Sequence, residues 1–374
     1  MRDDITVYKL RKNVMNTRDR FINTCLHQPT DRGVIWQERF WPETWQRWRS
    51  EGMPDNYDFG WDYNDDRDSM GTLGINLLFI PAWETGIIND EGETQLVRDE
   101  YGVIKRVFKN KSGMPQFVSF PVSNRADWVN LRERLAADAP GRIPADWDVR
   151  VQRANTADFP ITFGGSHLCG FFSFLRELLG DEVYYMFYDD PALLHEMLSF
   201  QAERLSILLR RAASDVRIDR LFIWEDMAYK TGPLISPELF REFLLEPYKQ
   251  YIAVARDCNI SIIDVDSDGN IESLIPLWLE AGVNMLHPFE VAAGMDIVKT
   301  KREYGNRLAV RGGVDKRALA AGTDAIDREL ERIRPAIEAG GCIPAVDHSV
   351  PPDVSWENFQ YYLKRRVELL GHVD

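Results

Sequence analysis

The stretch Ser261-Ile-Ile-Asp-Val-Asp-Ser-Asp-Gly-Asn270 decides how this chain is read, because an apolar run ends there in alternating carboxylates and a Gly-Asn turn. Ser261, Ile262 and Ile263 suit a buried strand, Asp264, Asp266 and Asp268 extend from its end, and Asn270 stands where it can cap a helix over 271–281. Carboxylates at the carboxyl end of a parallel strand stand where α/β folds keep their sites. The competing reading makes them solvated turn residues and helix-start anions that complement the macrodipole. The residues after the other strands separate the two.

Apolar runs of the same kind recur along the chain: Arg32-Gly-Val-Ile-Trp36, Phe159-Pro-Ile-Thr-Phe163, Arg220-Leu-Phe-Ile-Trp224, Val283-Asn-Met-Leu-His287, Arg307-Leu-Ala-Val-Arg311 and Cys342-Ile-Pro-Ala-Val346. Helical patterns separate them over 170–179, 191–213, 237–256, 271–281 and 325–339. Asp190-Pro191 opens one of these and Gly340-Gly341 stops another. Strict alternation of helices with short apolar strands, lacking a polar face, predicts a parallel sheet buried on both sides. Seven strands are counted in this way, and one more over 140–160 completes a (β/α)8 TIM barrel of one domain over 1–374. A doubly wound open sheet is the alternative, but no GxGxxG follows any strand. Over 72–122 the pattern changes to an antiparallel β excursion, with strand pieces at 75–80, 94–97, 102–108 and 116–120. Its hairpin turns are Asn89-Asp-Glu-Gly92 and Asn110-Lys-Ser-Gly113.

A 44% hydrophobic fraction supplies a core, and a net charge of −14 without a basic stripe argues against nucleic acid, whose binding needs a face that neutralises phosphates. The basic run from Lys105 to Lys111 reads as the polar side of a hairpin. Trp41, Trp45 and Trp48 share a helical face after the first strand, as core or as an aromatic ligand box. Four scattered cysteines and no apolar leader or membrane span suit a reduced, cytoplasmic protein.

In a barrel, the residues after each strand converge on one mouth. Here they include Gln37 and Glu38, Ser166 and His167, Glu225 and Asp226, Asp266 and Asp268, His287 and Glu290, Arg311, and Asp347 and His348. Scattered surface acids are expected in a chain with 59 Asp and Glu, but histidines, an arginine and acids directly after apolar strands point to a catalytic mouth. Two chemistries are open to it. Imidazole and carboxylate donors suit a divalent metal, with zinc or another borderline metal preferred where His is present. Alternatively, Arg311 and the carboxylates bind a charged small molecule and do acid/base work. His287, next to Pro288, also reads as a packing residue, and Arg311 as a brace for Glu290 or Asp347.

The chain resembles the uroporphyrinogen decarboxylase superfamily, which includes that decarboxylase and zinc-dependent methyltransferases that work with corrinoid proteins. The resemblance is carried by Thr231-Gly-Pro-Leu-Ile-Ser-Pro-Glu-Leu-Phe-Arg241, Asp268-Gly-Asn270, Glu280-Ala-Gly-Val283, Gly312-Gly-Val-Asp315 and Asp347-His-Ser-Val-Pro-Pro-Asp353. It implies a (β/α)8 barrel with the site in its mouth. Where the decarboxylases carry an Arg-rich motif that grips substrate carboxylates, this chain has Trp36-Gln-Glu-Arg-Phe40, so heme biosynthesis is not expected. Where the methyltransferases hold zinc with His-x-Cys-Gly and a later Cys, Asp266, Asp268 and His348 stand in this chain.

The resemblance therefore implies a methyltransferase-like enzyme that transfers or removes a methyl group. Asp266, Asp268 and His348 would hold a divalent metal, Glu225 or Glu290 would complete the coordination or supply a proton, and a corrinoid would ride on a partner protein. A metal-free decarboxylase or lyase acting on a small carboxylate, anchored by Arg311, is the second expectation, and a non-catalytic ligand-binding barrel the third. The family and the excursion are compatible with a homodimer. On this reading Asp264 becomes a packing or turn residue.

Overall fold

The computed structural model describes residues 15–62, 73–110 and 114–371; Val14 of the N-terminal helical pattern, position 72 of the excursion, Lys111, Gly113 and His372 lie outside them. The excursion forms a four-stranded antiparallel sheet in sequence order: β1 (Gly86–Asp90), β2 (Thr94–Arg98), β3 (Ile104–Phe108) and β4 (Gln116–Ser119). Gly92 supplies the positive φ that the first turn needs, and Asp90 accepts its N–H. Within the basic run, Lys105 pairs with Asp99, Arg106 with Glu91 and Lys109 with Asp90. Residues 75–80, expected as a strand, are irregular. Arg142 donates to the carbonyls of Asn76 and Leu78, and Arg204 to that of Leu77, so arginine side chains take the acceptors a neighbouring strand would have used.

Six parallel strands follow, each paired with the next: β5 (Thr162–Gly164), β6 (Arg220–Trp224), β7 (Ile262–Asp266), β8 (Met285–His287), β9 (Ala309–Val314) and β10 (Cys342–Val346). The extended segment after Gly33 runs beside the end of β10: Phe40 bridges Val350 in parallel, and Val350 N–H donates to the Arg39 carbonyl at 2.8 Å. These six strands and the extended segment beside them, with helices outside, give the fold of the (β/α)8 TIM-barrel class. The strand expected in 140–160 is instead the helix Trp147–Thr156, whose Trp147 and Ala154, seven residues apart, are its buried positions.

The strands do alternate, which corrects the uniformly apolar reading. Leu221, Ile223, Ile263, Val265, Leu286 and Val310 pack outward in one large core with the helices. Val34, Trp36, Ile262, Met285, Ala309 and Ile343 form a separate inner cluster, joined by Phe21 and Cys25 of the helix Thr17–Cys25. Above this apolar floor the inward positions turn charged, with Arg220, Asp264, His287 and Arg311. Backbones approach closely here: a Cβ on Gly312 (φ +105°) would meet the Pro288 carbonyl oxygen at 1.7 Å.

The tryptophan stripe is largely core. Trp48 is fully buried in the helix Pro42–Ser50 and stacks on Phe359 of the C-terminal helix Trp356–Leu370 at 4.4 Å, whereas Trp41 is 43% exposed. All four cysteines are free, and among the described residues no helix is long and apolar enough to cross a membrane.

Candidate active site

The carboxyl ends of the strands surround a cavity of about 260 Å³, whose walls include Arg39, His167, Trp224, Asp226, Asp266, Asp268, His287, Arg311 and His348. Its floor is a buried chain of charge. Arg220, at the start of β6, donates to Asp264 Oδ2 through Nε at 2.8 Å and approaches it through Nη2 at 2.6 Å, with neither side chain exposed. The other Asp264 oxygen lies 2.8 Å from His287 Nδ1. An ionised carboxylate only accepts, so the imidazole carries its proton on Nδ1. His287 Nε2 is then directed at the mouth, 3.4 Å from Asp266 Oδ2 and without a hydrogen-bond partner among the described residues.

Asp264, expected from the sequence as a packing or turn residue, is instead the centre of this relay, because residues two apart on a strand share one face and Asp264 points inward as Asp266 does. Burial works to raise the Asp264 carboxyl, but the charges of His287, Arg220 and Arg311 outweigh it and hold the group well below the ordinary range. Asp266 shows the same contest and the same outcome, with His287, Arg311 and Arg39 lowering it against burial. Arg311 lies over the Trp36 ring at 4.2 Å, a cation–π contact that keeps its guanidinium at the cavity wall.

Asp226 behaves in the opposite way. Burial, then the nearby Asp268 charge, push it up to about 6, against the pull of Arg176. It sits just past β6 in the left-handed backbone region, φ +45°, which a non-glycine residue adopts at some cost. Asp268 and His348 meet at 3.2 Å, and that bond to Asp268 raises the imidazole's pKa.

The three residues expected to hold a metal thus reach one cavity, but only two of them pair. Asp268 faces His348 while Asp266 faces His287, and among the described residues no group of three or more His, Cys, Asp or Glu side chains is placed to hold a metal ion. As they stand, these donors do not fit a three-ligand centre.

Of the other expected site residues, His287 and Arg311 line the cavity and Glu225 and Glu290 do not. Glu225 is fully buried behind the wall, where it accepts from the backbone N–H groups of Phe171 and Ser173 at 2.7 and 2.9 Å and from the Tyr248 hydroxyl at 2.5 Å. It fixes the start of the helix Phe172–Leu179 against β6. Glu290 receives Lys316 Nζ at 3.0 Å and the Gly269 N–H at 3.3 Å, bracing two loops of the rim. Glu38 reaches the cavity wall but is taken up by Arg366, the Tyr362 hydroxyl and the Val346 N–H. Asp226 was read from the sequence as a mouth residue but given no role, and Arg220 escaped that reading altogether. The signal for Arg220 was a charge at an inward position of an otherwise apolar strand.

A parallel barrel whose strand ends gather titratable groups around a cavity defines a (β/α)8 protein with its candidate site at the carboxyl face. Residues 180–369 match the uroporphyrinogen decarboxylase (URO-D) family profile, about half of the chain, and the protein belongs to that family. A uroporphyrinogen decarboxylase from Alcanivorax borkumensis is 28% identical over 197 residues, 49% of this chain, and the chain spans about half of that relative's length (51%). A solved structure described as a methyltransferase from Methanosarcina mazei superposes over 95% of this chain and 99% of its own, with a TM-score of 0.57 and 17% identity, which speaks for the fold alone.

Proposed function

We propose that the barrel mouth is an acid/base centre for a small carboxylate substrate, of the decarboxylase or lyase kind. The observation that carries this reading is the opposed setting of two carboxylates on one cavity: Asp266 is held ionised beside His287, and Asp226 is pushed up to about 6. Groups whose surroundings drive their pKa values apart divide into base and acid. Arg311, with Arg39, anchors the substrate carboxylate by charge-assisted hydrogen bonds. In decarboxylation, the electron pair of the breaking C–C bond moves to the adjacent carbon as CO2 leaves, and Asp226 delivers the proton to that carbon. Asp266, steadied by His287 and Asp264, takes up a proton from the substrate or returns one to it.

The test is ligand protection. Small carboxylates should raise the melting temperature of the wild type, and Arg311→Ala should abolish the rise. Carboxylates without effect on the wild type, or an Arg311→Ala variant protected as well as the wild type, would overturn the reading.

A second reading, methyl transfer with a divalent metal and a corrinoid partner protein, is favoured by the Asp268–His348 pair at the mouth. It predicts a stoichiometric metal after metal-replete purification, lost in Asp268→Ala. A metal-free protein that zinc does not stabilise refutes it. If Asp266→Ala and His348→Ala leave ligand binding, metal content and activity all unchanged, the mouth is neither kind of catalytic centre.

A further inference from the structure

His167 follows β5 and occupies a position that packing alone does not call for. Its ring lies parallel to Trp224 at 3.7 Å between centroids (8° between planes) and, within 2°, parallel to Tyr101 at 5.2 Å. Its Nδ1 is 2.8 Å from Glu177 Oε1. Two rings and a carboxylate thus fix the imidazole, yet the side chain stays 41% exposed and forms part of the cavity wall. With Nδ1 engaged, the nitrogen left to meet a ligand is Nε2. Restraint on every side but one, at a wet cavity, is how a recognition group is preorganised.

Tyr101 is itself held with care. It belongs to the turn between β2 and β3, where Asp99 Oδ1 accepts the N–H groups of Tyr101 and Val103, both at 3.0 Å, and Asp99 Oδ2 takes Lys105 Nζ at 3.0 Å. Gly102 (φ +85°) lies against Trp83, where a Cβ would come within 2.4 Å of the indole, so the turn admits no side chain there. The antiparallel excursion thereby contributes a ring to the site.

Resting on the carboxylate reading above, we propose that His167 is a second substrate anchor and makes the site select a dicarboxylate, with Glu177 and Tyr101 as positioning residues. β5 opens the six-stranded sheet, and β9, which carries Arg311, is four strands further along it. The two donors therefore approach the cavity from different sides, and a molecule lying between them meets each with one anionic end. In its doubly protonated form the imidazole donates from Nδ1 to Glu177 and offers Nε2–H to the anion, a charge-assisted hydrogen bond.

The experiment is calorimetric titration of malonate, succinate, glutarate and adipate against monocarboxylates of equal length. The wild type should prefer one dicarboxylate by on the order of tenfold, as expected for one added charge-assisted hydrogen bond. His167→Phe, which keeps a ring in the stack but no nitrogen, should erase that preference and leave monocarboxylate affinity unchanged, whereas Arg311→Ala should weaken both. Tyr101→Ala and Glu177→Gln should each reduce the preference and Tyr101→Phe keep it, which holds the inference testable should His167→Phe not fold. A His167→Phe variant with the wild-type preference, or a wild type without one, overturns the dicarboxylate inference while carboxylate anchoring stands. A wild type that binds no carboxylate overturns both.

Discussion

Replacing Asp264 by Asn changes one atom type at the centre of the barrel and tests whether the relay beneath the mouth is held by charge. In the wild type one carboxylate faces the Arg220 guanidinium at 2.6–2.8 Å and His287 Nδ1 at 2.8 Å, with no exposure on either acid or arginine. The variant keeps the shape but removes the Asp264 charge from beside the buried Arg220 guanidinium. Removing one partner of a buried pair costs about 3–5 kcal/mol. For a chain of 374 residues, an unfolding entropy of roughly 0.8 kcal/mol per degree converts this into a melting temperature lower by about 4–6 °C.

The pH dependence gives a second readout. Asp264 is held low because the charges of His287, Arg220 and Arg311 override burial, which on its own would raise it. The unfolded chain therefore takes up this proton first. The stabilisation is fully present above the unfolded value near 4 and falls away as pH drops through the folded one. Scanning calorimetry from pH 8 to 3 should show a constant gap between wild type and variant that narrows only at the acid end. A variant that melts with the wild type at neutral pH would refute the charged relay, and a gap widening toward acid pH would refute its sign.

Two further outcomes are expected. Glu225→Gln places a donor against buried N–H groups and should cost about 1–3 kcal/mol in stability while leaving carboxylate protection intact; loss of protection in a variant of unchanged stability would put Glu225 back in the site. Asp268→Asn should lower the His348 titration midpoint read by NMR, since the bond to Asp268 is the main cause raising it. A folded-state value raised in this way contributes stability below about pH 6.5, lost as pH rises through it, and an unmoved midpoint would show that the pair does not form in solution.

The sequence by itself determined the alternation of strands and helices from about residue 159 onward, because strand and helix periods and their caps are local properties. Asp190-Pro191 opening the helix Pro191–Ala213 needs no distant partner, and the run before Asp266 is a strand in any context that buries it. It also placed Asp266, Asp268, His287, Arg311 and His348 at one mouth, since a barrel gathers the residues at the ends of its strands. Only the tertiary structure decided which of these side chains engage one another and which acids turn away. Glu225 and Asp226 are neighbours in the chain, yet one points behind the wall to Tyr248 and the other lines the cavity, because the chain leaves β6 there and turns through the left-handed region at Asp226 (φ +45°). Arg220 and His287 meet Asp264 from different strands through sheet register, and Tyr101 reaches His167 through the fold of the excursion. Register and long-range packing are sums over many contacts distant in sequence, so no local pattern carries them.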